Sequence, residues 1–228
     1  MNSPQPCTSS DVCSITPKNH FLFKILIIGD VGTGKSSIVQ RYAHNFFSRH
    51  YKATVGVDFA TKTLIQSDGT TIRLQLWDIS GQDRFSNMTR VYYKDAHGAI
   101  VVFDSTRQNT FDGALRWKAD LDSKITLANE KSLPVVLVAN KADLNNIITN
   151  ELLKEYKEIG NFLNAMKTSA KANYGIEEAF DFLVEQILET EKSGQYILPY
   201  FQDREKIRKL HQIPERRKFG FRTPSCCN

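Results

Sequence analysis

At 228 residues the chain is sized for one domain with tails, and its 41% hydrophobic content is enough to bury a core. Its net charge of +5 is concentrated at one end: nine Lys/Arg stand against three Asp/Glu from Lys192 onward, so the remainder is close to neutral. Four cysteines make no disulfide framework in a chain this long, no His stands at zinc-ligand spacing beside them, and no apolar run reaches membrane-spanning length. The start, Met1-Asn2-Ser3-Pro4, has neither the basic-then-apolar pattern of a leader nor the glycine that myristoylation needs, so the folded part is expected to be cytosolic.

Residues 1–20 are rich in Ser, Thr and Pro and are expected to form a disordered arm. Phe21 to Ile28 is an apolar run of strand length. Gly29-Asp30-Val31-Gly32-Thr33-Gly34-Lys35-Ser36 follows, matching G-x-x-x-x-G-K-[ST], and Ile38, Val39 and Tyr42 then fall at helical spacing. Strand, glycine-rich loop and helix together make a phosphate site. Glycines let the backbone close round an anion, the loop N–H groups form a nest, and the helix presents its positive end. The run Asp30 to Ser37 is therefore expected to bind nucleotide, with Lys35 reaching the β- and γ-phosphates and the Ser36 hydroxyl on Mg²⁺.

A polar, aromatic loop covers Asn45 to Thr54. Val57 to Gln66 and Ile72 to Leu76 alternate across the turn Ser67-Asp68-Gly69-Thr70, which predicts an antiparallel hairpin. Trp77 and Asp78 end its second strand and open a polar segment to about Asp95. Gly98 to Asp104 reads as a buried strand, residues 108–127 as a helix, and Leu133 to Ala139 as a further buried strand. A helix from about Thr149, a short strand over Asn161 to Met166 and a helix from about Gly175 to Glu191 complete the chain. This alternation predicts an α/β fold: a doubly wound, mostly parallel six-stranded sheet with one antiparallel edge hairpin. Ligands then bind beyond the carboxyl ends of the strands, where the motifs lie.

Three further motifs narrow the ligand. Asp78, at a strand end with Gly81 three residues on, is placed to hold Mg²⁺ through water, and the Gly81 N–H to meet a γ-phosphate. Asn140-Lys141-Ala142-Asp143 discriminates between bases, because a carboxylate accepts two hydrogen bonds from the N1–H and N2–H₂ edge of guanine and adenine offers no such pair. The bland reading of that motif is a helix N-cap. Thr168-Ser169-Ala170-Lys171 would supply a backbone N–H to the guanine O6, with Lys141 and Lys171 flanking the ring. His44, His50 and His97 are scattered, and each reads as structural or surface rather than as an acid or base.

From about Phe21 to Glu191 the chain resembles a Ras-superfamily small GTPase, specifically a Rab. The resemblance rests on Val55-Gly56-Val57-Asp58-Phe59, Arg73-Leu74-Gln75-Leu76-Trp77, Arg84-Phe85, Tyr92-Tyr93-Lys94-Asp95-Ala96 and Val102-Phe103-Asp104-Ser105-Thr106. Phe47 to Tyr51, Ile79 to Gln82 and Asn87 to Tyr93 resemble the subgroup serving lysosome-related organelles. The resemblance implies a G domain over 21–191, with switch I around Thr54 and switch II after Asp78. It implies that Phe47 packs on the guanine, that Tyr51 lies in the same nucleotide site, that Thr54 joins Ser36 and Asp78 on Mg²⁺, and that Gln82 orients the attacking water with Lys35 neutralising charge. It assigns effector contact to Phe59, Trp77 and Tyr92. It also implies the usual partners: an exchange factor, a GTPase-activating protein, a prenyl-dependent GDI-type escort and effectors.

Two residues depart from the pattern. Val31 stands where Ras has glycine and Rabs often have a small or polar residue, and Ser80 replaces a more frequent Ala. Val31 motivates an alternative reading, a slowly hydrolysing, mostly GTP-bound membrane scaffold. A P-loop kinase or metabolic ATPase is a third reading, opposed by Asn140 to Asp143. The tail, 192–228, is usually read as solvated disorder, or as a site for anionic membrane or nucleic acid. Cys226 and Cys227 sit in no C-a-a-X box, and adjacent cysteines at a Rab terminus imply two geranylgeranyl groups. The expectation is therefore a membrane partner and no nucleic acid. The expected place is the cytoplasmic face of an intracellular membrane, lysosome-related or endosomal, with a soluble cytosolic pool.

Overall fold

A computed structural model of the chain describes residues 19–82, 88–125, 132–144 and 147–192. The expected arm therefore lies outside the described residues up to 18, and the tail lies outside them from 193. In chain order the elements are β1 (His20–Ile28), α1 (Lys35–His44), β2 (Val57–Ile65), β3 (Thr71–Ile79), α2 (Thr89–Tyr93), β4 (Gly98–Asp104), α3 (Asn109–Lys124), β5 (Val135–Asn140), α4 (Asn150–Ile159), β6 (Asn164–Lys167) and α5 (Ile176–Lys192). The sheet runs β2-β3-β1-β4-β5-β6. β2 pairs antiparallel with β3, and the other pairings are parallel. This is the α/β sheet with one antiparallel edge that the alternation predicts.

The central strands β1, β4 and β5 are largely apolar on both faces because both faces are covered. Along β1, Leu26 and Ile28 pack with Phe111, Ala114, Trp117 and Leu121 of α3 and with Leu153 and Tyr156 of α4. Phe23, Ile25 and Ile27 face the other way, onto Ile38, Val39 and Tyr42 of α1 and Phe180, Leu183 and Ile187 of α5. α1 and α5 offer their apolar stripes at the three- and four-residue spacing read from the sequence. Stacked rings lock the layers: Tyr42 lies on Phe180 at 3.8 Å, and Phe111 on Tyr156 at 3.5 Å. Burying a side chain as large as Trp117 stabilises the fold by about 3 kcal/mol.

Two boundaries differ from the periodicity. The last strand begins at Asn164, three residues later than expected. Asn161 has a positive φ of 48°, and the Phe162 N–H donates to the Lys157 carbonyl, so these residues close α4 before the chain extends. The short α2 lies inside the segment that reads as merely polar. Its five residues are too few for a helical period to show.

Candidate functional site

Parallel strands bring their carboxyl ends to one edge, and the loops leaving β1, β3, β5 and β6 meet there round a cleft of about 760 Å³. The glycine-rich loop contributes Val31, Gly32, Gly34, Lys35, Ser36 and Ser37 to its wall. Gly32 and Gly34 take φ values of 75° and 94°, in the region an L side chain avoids, so the curve of the loop depends on them. A Cβ on Gly34 would also stand 2.3 Å from the Asn140 amide nitrogen. Phosphate loop and base loop are thus in direct contact.

Lys35 is almost fully buried, and its Nζ donates to the carbonyls of Gly29 (2.9 Å) and Asp30 (3.0 Å). Burial pulls its pKa down to about 8, against the opposing pull of the Asp78 and Asp30 carboxylates. The side chains of three of the expected nucleotide residues brace the site. The Asp30 carboxylate accepts from Trp117 Nε1 on α3 (3.1 Å), Thr33 is buried with its hydroxyl on the Asp30 carbonyl (3.0 Å), and the buried Ser169 hydroxyl donates to Asp143 Oδ1 (2.6 Å).

Ser36, Thr54 and Asp78 come from a helix start, a loop and a strand end, yet their oxygens converge. Ser36 Oγ lies 2.5 Å from Asp78 Oδ2 and 2.8 Å from Thr54 Oγ1, and the Thr54 hydroxyl donates to Asp78 Oδ2 at 3.3 Å. Burial raises the Asp78 carboxyl pKa, opposed first by the Ser36 hydroxyl and then by Lys35. Asp78 Oδ1 is buried with no hydrogen-bond partner, which a buried carboxylate oxygen seldom tolerates. Hard oxygen donors with an orphaned carboxylate oxygen fit Mg²⁺, which keeps waters of its own and prefers phosphate as a further ligand.

The base loop is held from below. The Asn140 amide donates to the Thr33 carbonyl (2.9 Å), and its oxygen accepts from Thr168 Oγ1 and the Ala170 N–H, both at 3.3 Å. Lys141 Nζ bonds the Gly32 carbonyl (2.8 Å) and Asp104 Oδ2 (2.7 Å). Asp143 is oriented by Ser169 and, at 3.6 Å, by Lys171 Nζ. Asn140, Lys141, Asp143, Ala170 and Lys171 line the cleft together with Phe47 and Tyr51.

The family model described as "Ras family" matches residues 24–189. Ras-related protein Rab-32A of Dictyostelium discoideum is 48% identical over 214 residues, covering 92% of this chain and 94% of that protein. Ras-related protein Rab-32 of Homo sapiens is 54% identical over 175 residues (75% and 77%), and Ras-related protein Rab-7L1 of Homo sapiens is 48% identical over 168 (73% and 83%). The chain belongs to the Ras family. Within it the chain is a Rab small GTPase, a GTP-binding P-loop protein of the vesicle-trafficking class, related to the Rabs of lysosome-related organelles.

In this Rab the segment leaving β3 meets the phosphate loop at Gly81, where a Cβ would stand 2.5 Å from the Val31 nitrogen. Gln82 is exposed at the cleft wall, and the Val31 side chain shares that wall with 42% of its surface open. Phe59 is 57% exposed and stands edge-on to Trp77 at 4.5 Å; Trp77 and Tyr92 are half-buried against the core. Lys24 Nζ sits 3.4 Å from the Trp77 ring, a cation–π contact, and donates to the Lys94 carbonyl at 2.7 Å. His97 is structural: its Nδ1 accepts from the Lys24 N–H (3.1 Å), and burial pulls its pKa down to about 4.

Sequence reasoning missed three braces. Asp104, 2% exposed, carries Lys141 and Arg107; burial raises its carboxyl pKa, but hydrogen bonds from Lys141 and Thr106 outweigh that and hold it down to about 2. Arg41 of α1 donates to the Ala170 carbonyl (2.9 Å) and so fixes the loop after β6. Asp104 and Arg107 stand three residues apart, but no local spacing could show the Asp104–Lys141 and Arg41–Ala170 pairs, whose members lie 37 and 129 residues apart. Arg84, Phe85, the basic tail, Cys226 and Cys227 lie outside the described residues. Among the described residues no helix is long and apolar enough to cross a membrane.

Proposed function

We propose that this Rab cycles between GTP- and GDP-bound states and that the state of its two switch loops recruits effectors to a membrane. The observation that carries the reading is the Ser36–Thr54–Asp78 convergence, with Oγ atoms of the phosphate loop and switch I 2.8 Å apart. A γ-phosphate held there would bond both switches at once, through Thr54 and the Gly81 N–H, and its loss would release them. The Asp143 carboxylate selects guanine, Phe47 and Tyr51 cover the nucleotide, and Ser36, Thr54 and, through water, Asp78 would hold Mg²⁺. The ion, when bound with nucleotide, neutralises charge on the phosphate oxygens. Lys35 adds its own positive charge to the same oxygens. Gln82 orients the water for in-line attack, and the leaving GDP stays in the cleft.

One observation favours a slow version of this switch. Val31 shares the cleft wall with Gln82, and a β-branched side chain is stiff at χ1, so its methyls cannot rotate clear of the space an activating arginine needs. Ground-state binding survives, because the loop backbone and Lys35 are untouched; the transition state alone needs tight register. Such an arginine contributes about 10³–10⁵ in rate, so partial exclusion leaves the protein mostly GTP-bound. The test is single-turnover phosphate release by wild type and Val31→Ser, each with and without an activating protein. A faster Val31→Ser supports the slow scaffold, and equal rates under both conditions leave an ordinary switch.

The remaining assignments follow the family. Phe59, Trp77 and Tyr92 contact effectors; an exchange factor, an activating protein and a GDI-type escort complete the cycle. Geranylgeranyl groups on Cys226 and Cys227 hold the protein on the cytoplasmic face of a lysosome-related or endosomal membrane. The basic tail adds attraction to anionic lipid.

A further inference from the structure

Each carbonyl of the phosphate loop from Gly29 to Gly34 has a donor. Lys35 Nζ takes those of Gly29 and Asp30, Lys141 Nζ takes Gly32, the Asn140 amide takes Thr33, and the Ile38 N–H takes Gly34. The Val31 carbonyl is held by Arg107, whose Nη2 lies 3.4 Å away. A peptide plane is rigid, so a carbonyl pulled outward turns the following N–H the opposite way, toward the anion.

Arg107 is built for that task. The Thr110 N–H and hydroxyl both bond its carbonyl, and its own N–H bonds the Asp104 carbonyl, which fixes the backbone before α3. Its Nε then donates to Asp104 Oδ2 at 2.9 Å, leaving the other arm of the planar fork for Val31. The same Asp104 oxygen accepts Lys141, so one buried carboxylate steers two cations onto two consecutive carbonyls of the loop.

We propose that Arg107 is a positioning residue for the phosphate site: anchored by Asp104, it holds the Val31 carbonyl outward, keeps the loop N–H groups turned to the diphosphate, and so prolongs nucleotide residence. The inference rests on the reading of the cleft as a GDP and GTP site. It adds a residue that touches neither base nor phosphate.

The test compares full-length wild type, Arg107→Ala, Arg107→Lys and the control Arg116→Ala, all loaded with GDP. Arg116 is a half-exposed cation on α3 that stands 3.9 Å from the Asp30 carboxylate and bonds no loop carbonyl. Release of GDP should speed by roughly fivefold to tenfold in Arg107→Ala, the loss of one charge-assisted bond at long range. The β-phosphate ³¹P resonance of bound GDP should move with it, while Arg116→Ala leaves both unchanged. Arg107→Lys keeps a charge for Asp104 but lacks the fork, so its thermal stability should return to the wild-type value while release stays fast. Inosine diphosphate, which lacks the 2-amino group, should show the same fold-acceleration as GDP, because the effect acts on phosphates. Full rescue of release by lysine would reduce Arg107 to a charge partner of Asp104 and overturn the proposal. An acceleration confined to GDP, or an unmoved phosphorus resonance, would overturn it equally. Wild type that retains no GDP at all would instead overturn the nucleotide reading beneath it.

Discussion

Two residues in the cleft give opposite responses that can be measured. Asp143 holds one oxygen on Ser169 and the other near Lys171, so the carboxylate is pre-oriented. Asp143→Asn puts an amide where guanine offers two donors. Bonds to a charged acceptor contribute about 1.5–3 kcal/mol each, so GTP affinity should fall by at least about tenfold. Xanthine nucleotide, with O2 in place of the amino group, should bind the variant better than it binds wild type; titration calorimetry with both nucleotides checks this. Lys35 gives a pH signature. Burial holds its pKa down at about 8, and phosphates beside it must raise that value again. Binding therefore takes up a proton above pH 8, and affinity should decline from there toward pH 10, by as much as tenfold per unit, with no such loss between pH 6 and 7.5. In the unliganded protein the sign differs. The lysine is 10.5 when unfolded, so between about 8 and 10.5 the unfolded chain holds the extra proton, and the Lys35 contribution to stability rises with pH.

At the scale of elements, the β2–β3 hairpin and α2 present the surface assigned to effectors, and its three aromatics are not equivalent. Phe59 lies on the edge strand with more than half its surface open, whereas Trp77, on the neighbouring strand, touches the core and carries Lys24 on its face. Phe59→Ala should leave stability within about 0.5 kcal/mol of wild type, as exposed positions do, while Trp77→Ala should cost at least about 2 kcal/mol. Urea unfolding of the GDP-bound proteins separates the two. Equal losses would mean that Phe59 is a core residue and would remove it from the docking surface. Helix starts were partly legible at this scale. Thr149 marks the beginning of α4 in the sequence, and its hydroxyl accepts the Leu152 N–H at 3.1 Å as an N-cap does. Asn161, Phe162 and Leu163 were not legible as a turn, because aromatic and β-compatible residues there carry no sign of the positive φ at Asn161.

For the whole molecule, the proposed function gives the switch to the G domain and the membrane attachment to the chain beyond α5. Two cysteines and eight Lys/Arg stand after residue 192, and one acyl chain alone would anchor only marginally. A double Cys226→Ser, Cys227→Ser variant should be wholly soluble in cells by fractionation, with GTP affinity unchanged. Membrane retention of that variant would remove the lipid anchor from the account. A single substitution should give intermediate retention, since each prenyl chain contributes about 0.8 kcal/mol per buried CH₂.

The sequence by itself determined what is local or periodic. The Gly29–Ser36 pattern, the alternation of β2 and β3, the apolar stripes of α1, α3 and α5, and the order of the four nucleotide motifs are all relations between residues a few positions apart. Together they determined the sheet, the class of ligand and the family. Only the tertiary structure decided how the motif residues divide their work. Asp30, Thr33 and Ser169 stand inside motifs yet point into the frame. Asp104 and Arg107, outside the motifs that recognise the nucleotide, hold the phosphate loop in shape. The reason is physical: a carbonyl or carboxylate must find its donor wherever the fold brings one within about 3 Å, and across this sheet that donor is often more than thirty residues away.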